Sequence, residues 1–485
     1  MAAVGARAEE LRGRVLGGSV SRALFWLAAP IMASRALGTV QEAVDTVFLG
    51  HLGRYQLAAP TAAWPLLWLF MSLVFALGTV AQALVSQLVG ARRYLEASRV
   101  AGMLWGLSLI VAVAASASMV AVAPLVFSLL GIPGSVRGLS LDYVLVESVS
   151  FPLAYTMFLF SSVSSALGDT RKPFIVNALS SVINLVLDPI LIFGLLGVPR
   201  MGVVGAALAT GVSRIIAGGY AALLMLRGDL GVTVKPLAPN GWIVSKTLSI
   251  GGPVAAQQIL VSTGFVVMSG LVAGLGAIVM AAYNVSIAVI DLIQAVDMGF
   301  SVATATLVGQ SLGAGLRSRA REAAAKALGL VFASLTAGTA LIVAFRSSLA
   351  GLFTGDPAVL RESERMIELF APSIPFLGLL FTAMGVARGS GHTLAPSLLG
   401  VARLWLLRIP LTYLLAYRLG MGSTGVWIGM SISNIASGLA GAAWVLLAPW
   451  DRPVLQTHPE GGAAGEPRGL KELSREAPGT RAGKA

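Results

Sequence analysis

Four residues able to bind ions stand where hydrocarbon surrounds them. Asp45 lies in QEAVDTVFLG, residues 41–50, near the end of an apolar run that begins near Ala23. Glu42 precedes it by three residues and shares its helical face. Asn184 and Asp188 occur in NALSSVINLVLDPILIFG, four residues apart and so on one face, with Asn177 about two turns earlier and Pro189 next in line. A carboxylate inside an apolar span costs roughly 2.5–3.5 kcal/mol on insertion scales and usually faces the protein interior. An Asp beside an Asn supplies hard oxygen ligands for a small cation, or a carboxyl group that can take up a proton. The chemistry implied is ion capture. Arg35 or Arg214 could instead neutralise one of these acids, and Glu42, near a helix end, could snorkel.

A second polar set follows in NVSIAVIDLIQAVDMGF, which carries Asp291, Gln294 and Asp297, with Tyr283 and Asn284 at its start and Gln257 and Gln258 on the preceding run. Asp291 and Asp297 are six apart and point in different directions, so a polar-cavity role and intra-lobe hydrogen bonding stand equally. Pro30 interrupts the run that leads to Asp45; a proline there removes a backbone bond and can kink the helix.

The elements that position these residues follow from composition. The chain has 485 residues, 56% hydrophobic and 12% charged, with a mean hydropathy of +0.83. A soluble chain carries roughly twice that charged fraction. Splitting at turn and charge signals gives twelve apolar segments long enough to span a bilayer: 23–50, 57–89, 98–130, 139–166, 173–197, 202–226, 246–274, 279–312, 321–352, 366–387, 395–417 and 422–449. The fold class expected is therefore an all-α polytopic membrane protein. The net charge of +12 does not point to nucleic acid, because Lys and Arg sit in short loops and tails between apolar runs. They concentrate on the face that carries both termini, which predicts a multi-pass protein of the cytoplasmic membrane with both termini in the cytoplasm. The first 22 residues lack a cleavable signal pattern. The absence of cysteine excludes a thiolate metal site.

The chain also repeats itself. One register superposes Pro30 on Pro253, Leu52 and Gly53 on Leu275 and Gly276, Gln87 on Gln310, Gly90 and Ala91 on Gly313 and Ala314, and Gly168, Thr170 and Pro173 on Gly391, Thr393 and Pro396. A slightly shorter shift puts MGVVG at Met201 on MGSTG at Met421. Six crossings return a chain to its starting side, so the halves are two parallel six-helix lobes, an arrangement that secondary transporters use with the substrate between the repeats. The divisions expected are an N-terminal segment to residue 22, an N-lobe over 23–226, a linker over 227–245, a C-lobe over 246–449, and a Gly- and Glu-rich disordered cytoplasmic tail over 450–485.

VDTVFLGHLG, QLVGARR with its repeat GQSLGAG, GDTRKP, and LDPILIFG followed by MGVVGAALAT together resemble the multidrug and toxic compound extrusion (MATE) antiporters, over all twelve segments and both lobes. The resemblance implies two six-helix bundles around a cavity open to alternate sides. It also implies export of amphipathic, often cationic compounds in exchange for protons or sodium ions. By motif, Asp45 resembles the first-helix carboxylate of the N-lobe cation site, Asn184 and Asp188 its fifth-helix partners, and Thr210 the sixth-helix hydroxyl; sodium would sit at Asp45, Asn184 and Asp188. Pro30 resembles the proline whose bending accompanies N-lobe protonation. The C-lobe departs from members with acids there, offering Gln257, Gln258 and His392 instead.

The function expected is thus a cation-coupled exporter acting as a monomer in the lipid bilayer, with no cofactor beyond its coupling ion and no nucleic-acid partner. A flippase for lipid-linked saccharides is the alternative, and it needs several cationic side chains converging inside; Arg35, Arg214, Arg403 and Arg408 are the candidates. A membrane enzyme would need a nucleophile with a base or a metal cluster, and the spans carry no such motif.

Overall fold

The computed structural model describes residues 2–455, and among these the chain is helical, with no strand. A short helix α1 (Ala2–Leu16) precedes twelve long ones. The N-lobe consists of α2 (Val20–Leu52), α3 (Arg54–Gly90), α4 (Tyr94–Leu129), α5 (Gly134–Ala166), α6 (Arg171–Phe193) and α7 (Val203–Arg227). The C-lobe consists of α8 (Gly241–Ala273), α9 (Ala277–Gly313), α10 (Arg317–Ala344), α11 (Pro357–Ser390), α12 (Leu394–Arg418) and α13 (Ser423–Leu447). Each is long and apolar enough to cross a membrane, with α9 bent by 49° between Asp291 and Ile293.

Boundaries moved where charge hid a helix. The tenth span was expected to begin near residue 366, but α11 starts at Pro357, where Asp356 accepts hydrogen bonds from the amides of Ala358 and Val359. Its first turns carry Arg361, Glu362, Glu364 and Arg365 on one side and bury Val359, Ser363, Met366 and Ile367 on the other. Such an amphipathic extension reads as a loop by hydropathy alone. The linker has a similar end: Asn240 caps α8 by accepting from Ile243 N–H. The tail expectation lies outside the described residues from 456 onward; before that, Trp450 and Leu455 are buried and Asp451 pairs with Arg321.

The lobes are locked together at the face that carries both ends of the described chain, and the repeat motif makes the lock. Gln87 of α3 donates to the carbonyls of Gly389 and Ser390 at the end of α11. Its repeat counterpart Gln310 of α9 donates to Ala166 O at the end of α5, 2.8 Å away. Gly90 lies against the backbone of Gln310 and Gly313 against that of Gln87, so closely that a Cβ at either would overlap main chain. Glycine is required here because only a missing side chain lets two backbones meet. Gln82 adds bonds to Val302 O and Thr306 Oγ1.

The N-terminal segment, expected only to be polar, forms a clip over this face. On α1, Arg7 pairs with Asp169 at 3.1 Å, Arg12 donates to Gly90 O, and Glu9 meets Arg92 and Tyr94, all N-lobe groups. From the C-lobe, Arg319 donates to Val15 O. Hydrogen bonding by Tyr94 and then Arg92 holds the Glu9 carboxyl below its ordinary range.

Candidate functional site

Inside the N-lobe, Asp45 from α2, Asn184 and Asp188 from α6 and Thr210 from α7 converge. Asn184 and Asp188 are 0% and 1% exposed, while Asp45 is only partly covered. The Asp45 and Asp188 carboxyl groups hydrogen-bond to each other. A proton between them would satisfy such a contact, since two carboxylates repel each other. Asn184 Nδ2 reaches Asp188 Oδ1 at 3.4 Å and Thr210 Oγ1 at 3.3 Å.

The other end of the Asn184 amide lies 3.3 Å from both Asp188 Oδ2 and Asp45 Oδ1, and 2.7 Å from Gln41 Nε2. Turned one way, the amide nitrogen donates to both carboxyl groups and the oxygen accepts from Thr210. Turned the other way, the oxygen can accept from Gln41 Nε2 and faces two carboxyl oxygens, a cage that a proton or a small cation between them would relieve. The donor set thus fits a proton or a small hard cation. The helical spacing of Asn184 and Asp188 and the shared face on α6 are what make one amide reach both acids.

Three further residues of this site carry no motif and escaped the sequence reading. Glu147 of α5, 1% exposed, pairs with Arg214 of α7. Tyr143 lies one helical turn before Glu147, and its ring senses the charges of Glu147, Arg214, Asp45 and Asp188. Gln41 sits one turn before Asp45. The Arg214 guanidinium, considered as a counter-charge for Asp45 or Asp188, faces Glu147 directly and Asp45 only at longer range. Glu147 and Asp45 therefore share one guanidinium, and with Asp188 the cluster is short of positive charge. Glu147 Oε1 has no hydrogen-bond partner.

The remaining expected residues separate. Glu42 is exposed and pairs with Arg35 at 3.3 Å. Asn177 is half-buried on α6, and no hydrogen bond joins it to the cluster. Pro30 lies within an unbroken α2, between Ala28 and Met32, which abut Gly299 of α9. In the C-lobe, Asp291 accepts from Gln294 and faces the charges of Arg35 and Glu42 on α2. Asp297 is buried within the lobe with Arg388 as its counter-charge. The intra-lobe hydrogen bond is thus made by Asp291, whereas Asp297 Oδ1 is buried without a hydrogen-bond partner.

Gln257 is buried against Gly400 and approaches Met384 Sδ at 3.7 Å, Gln258 is half-buried beside it, and Asn284 is exposed. Tyr283 is buried and stacks on Trp427 at 6.2 Å. His392 sits in the turn between α11 and α12 on the clipped face, where burial pushes its imidazole below its ordinary value. Of the four arginines considered for an anion site, two are paired to acids; Arg403 and Arg408 converge in the C-lobe.

Comparison with known proteins gives these positions a context. The MatE family model matches residues 30–190 and 253–414, one copy per lobe. The chain is 28% identical over 448 residues to a probable multidrug resistance protein NorM of Thermotoga maritima, covering 90% of this chain and 95% of that one. It is 25% identical over 386 residues to the multidrug export protein MepA of Staphylococcus aureus, covering 77% and 83%. Among solved structures it resembles the outward-facing conformation of a multidrug resistance MATE family transporter, with a TM-score of 0.83 and 23% identity, covering 89% of this chain and 96% of the other. The chain belongs to the MatE family, and it is a membrane transporter rather than an enzyme.

Proposed function

We propose that this MatE family member exports amphipathic, often cationic compounds across the cytoplasmic membrane in exchange for a proton or a sodium ion. The observation that carries the reading is the contact of two carboxyl groups from α2 and α6 around one amide, in a cluster with three acids and one base. The names of the NorM and MepA relatives support drug compounds as cargo.

The mechanism follows from charge and from the lock between lobes. With the Lys- and Arg-rich face in the cytoplasm, the glycine contact closes the inner side and leaves the N-lobe cluster to the outer side. A proton on the Asp45–Asp188 pair, or sodium held by Asp45, Asn184, Asp188 and Thr210, removes the negative charge that retains a cationic compound. Cargo and ion compete for the same carboxylates, so loading one expels the other. Neutralisation also lets Asp45 shift relative to Asp188, and α2 carries that shift past Pro30, whose missing N–H leaves the helix easiest to bend there. The lobes, 23–226 and 246–449, then rock about the linker 227–245, and one chain holds both moving parts.

The test is efflux of a fluorescent cationic dye from proteoliposomes under separately imposed proton and sodium gradients. Efflux driven by one ion and lost in Asp45→Asn and Asp188→Asn supports the exchange. Transport that keeps its ion dependence in both variants defeats it. A lipid-linked saccharide as cargo gains no support from Arg35 or Arg214, since each is committed to an acid.

A further inference from the structure

The C-lobe holds the opposite electrostatic problem. Arg403 and Arg408 of α12 are 7% and 2% exposed. Arg403 Nη1 and Arg408 Nη2 both donate to Asn434 Oδ1 of α13, at 3.2 and 2.5 Å, and Arg408 Nε donates to Ser433 Oγ at 3.0 Å. These are their hydrogen bonds, and every acceptor is neutral. The titratable groups that act on them are each other and Tyr283, and among the described residues no carboxylate pairs with either. Arg403 Nε is buried with no partner at all. The guanidinium of Arg408 also lies over the Phe370 ring at 5.8 Å. Guanidinium does not give up its proton in a protein, and a buried charge persists only when paired.

The backbone brings the two cations together. Five residues apart on an α-helix, they would lie about 140° apart around the axis, at roughly 100° per residue. The stretch Arg403–Arg408 is instead a single wide π-helical turn, closing i to i+5, with a second such turn at Leu414–Arg418. That winding returns residue i+5 to the face of residue i, which is why one Asn434 oxygen serves both. Wide turns of this kind are frequent at functional sites. In the register that puts Met201 on Met421, Asp188 falls on Arg408 and Arg214 on Asn434. The C-lobe thus repeats the N-lobe position with its charge inverted.

We infer that Arg403 and Arg408, with Asn434, form an anion site in the C-lobe that takes a carboxylate or phosphate group. Two planar forks aimed at one point suit a two-oxygen acceptor better than a spherical ion. The group comes either as a free small anion that stays with the protein or as the acidic part of a transported compound. The inference does not depend on the ion exchange at the N-lobe.

The experiment measures thermal unfolding of the purified protein with increasing inorganic phosphate or acetate, at constant ionic strength set by chloride. In parallel, proteoliposomes are loaded with a carboxylate dye. Wild type is compared with Arg408→Gln and with Asn434→Asp, which places an internal carboxylate between the guanidiniums and keeps the fold's charge satisfied. A saturable rise in melting temperature in wild type, absent in both variants, supports a free anion. Without that rise, loss of carboxylate-dye transport in both variants, with cationic-dye transport retained, supports the group as part of the cargo. If neither phosphate nor acetate raises the wild-type midpoint and carboxylate-dye transport is absent or unchanged in Asn434→Asp, the site does not exist. An equal rise in wild type and Asn434→Asp also overturns it.

Discussion

Gly90→Ala should push the protein out of the state described here. A Cβ at Gly90 would lie 2.8 Å from the carbonyl carbon and 2.9 Å from the Cα of Gln310, and on top of its oxygen. Those are main-chain atoms, so no rotamer change relieves the overlap, and α9 must withdraw from α3. Overpacking a close contact costs roughly 1–3 kcal/mol. The cost falls only on the state in which the lobes meet at this face, so it converts to a population shift of about 5- to 150-fold away from closure. Gly313→Ala, which meets Gln87 in the same way, should act alike, and because the two contacts adjoin, the double variant should not simply add. The chain has no cysteine, so a thiol introduced at the buried Ser311 is unique. Its maleimide labelling rate in proteoliposomes reports opening of this face. The rate should rise by the same factor in Gly90→Ala, with the melting temperature recorded alongside. Equal rates in a folded Gly90→Ala protein would refute the claim that the glycine pair sets the closed state.

The buried ion pairs and the clip give three more tests. Arg214 is about a third exposed and Glu147 1%, so Arg214→Gln strands a buried carboxylate while Glu147→Gln leaves a cation that can reach water. Arg214→Gln should lose up to about 3–5 kcal/mol in unfolding measurements, Glu147→Gln clearly less, and the double variant less than Arg214→Gln alone. At Asp297 and Arg388, both buried, either single neutral variant should be less stable than the pair changed together, as a double-mutant cycle will measure. Tyr94 and Arg92 lower the Glu9 carboxyl from its ordinary value of 4.5. Its contribution to docking α1 is therefore fully present above about pH 4.5 and is lost as pH falls through the lowered value. Limited proteolysis within residues 2–16 should accelerate across that window in wild type and show a weaker pH dependence in Glu9→Gln.

The parts of the fold written in residue type and period were legible in the sequence. Twelve apolar runs, their parallel duplication and the face bearing both ends follow from hydropathy and from matches such as Gln87 on Gln310. Asp45, Asn184 and Asp188 stood out because each is costly in an apolar span and two share a helical face. Glu147 did not, because nothing within α5 announces its partner on α7. Arg403 and Arg408 were visible as charges, but their alignment depends on a π-turn that no local residue type signals. The six-residue spacing of Asp291 and Asp297 already set them in different directions, and α9 turns Asp291 toward Arg35 and Glu42 of α2 and Asp297 toward Arg388 of α11. The start of α11 was missed for the opposite reason: its charges mark one face of an amphipathic helix rather than a loop.

The central claim is that one carboxyl pair serves both ion and cargo. Proton release from the purified protein in a lightly buffered detergent solution tests it directly, on addition of sodium and, separately, of a cationic dye. The account predicts release with the dye in wild type, release with sodium if sodium is the coupling ion, and neither in Asp188→Asn. Release of the same size from Asp188→Asn, or dye binding to wild type with no proton released at any pH, would contradict it.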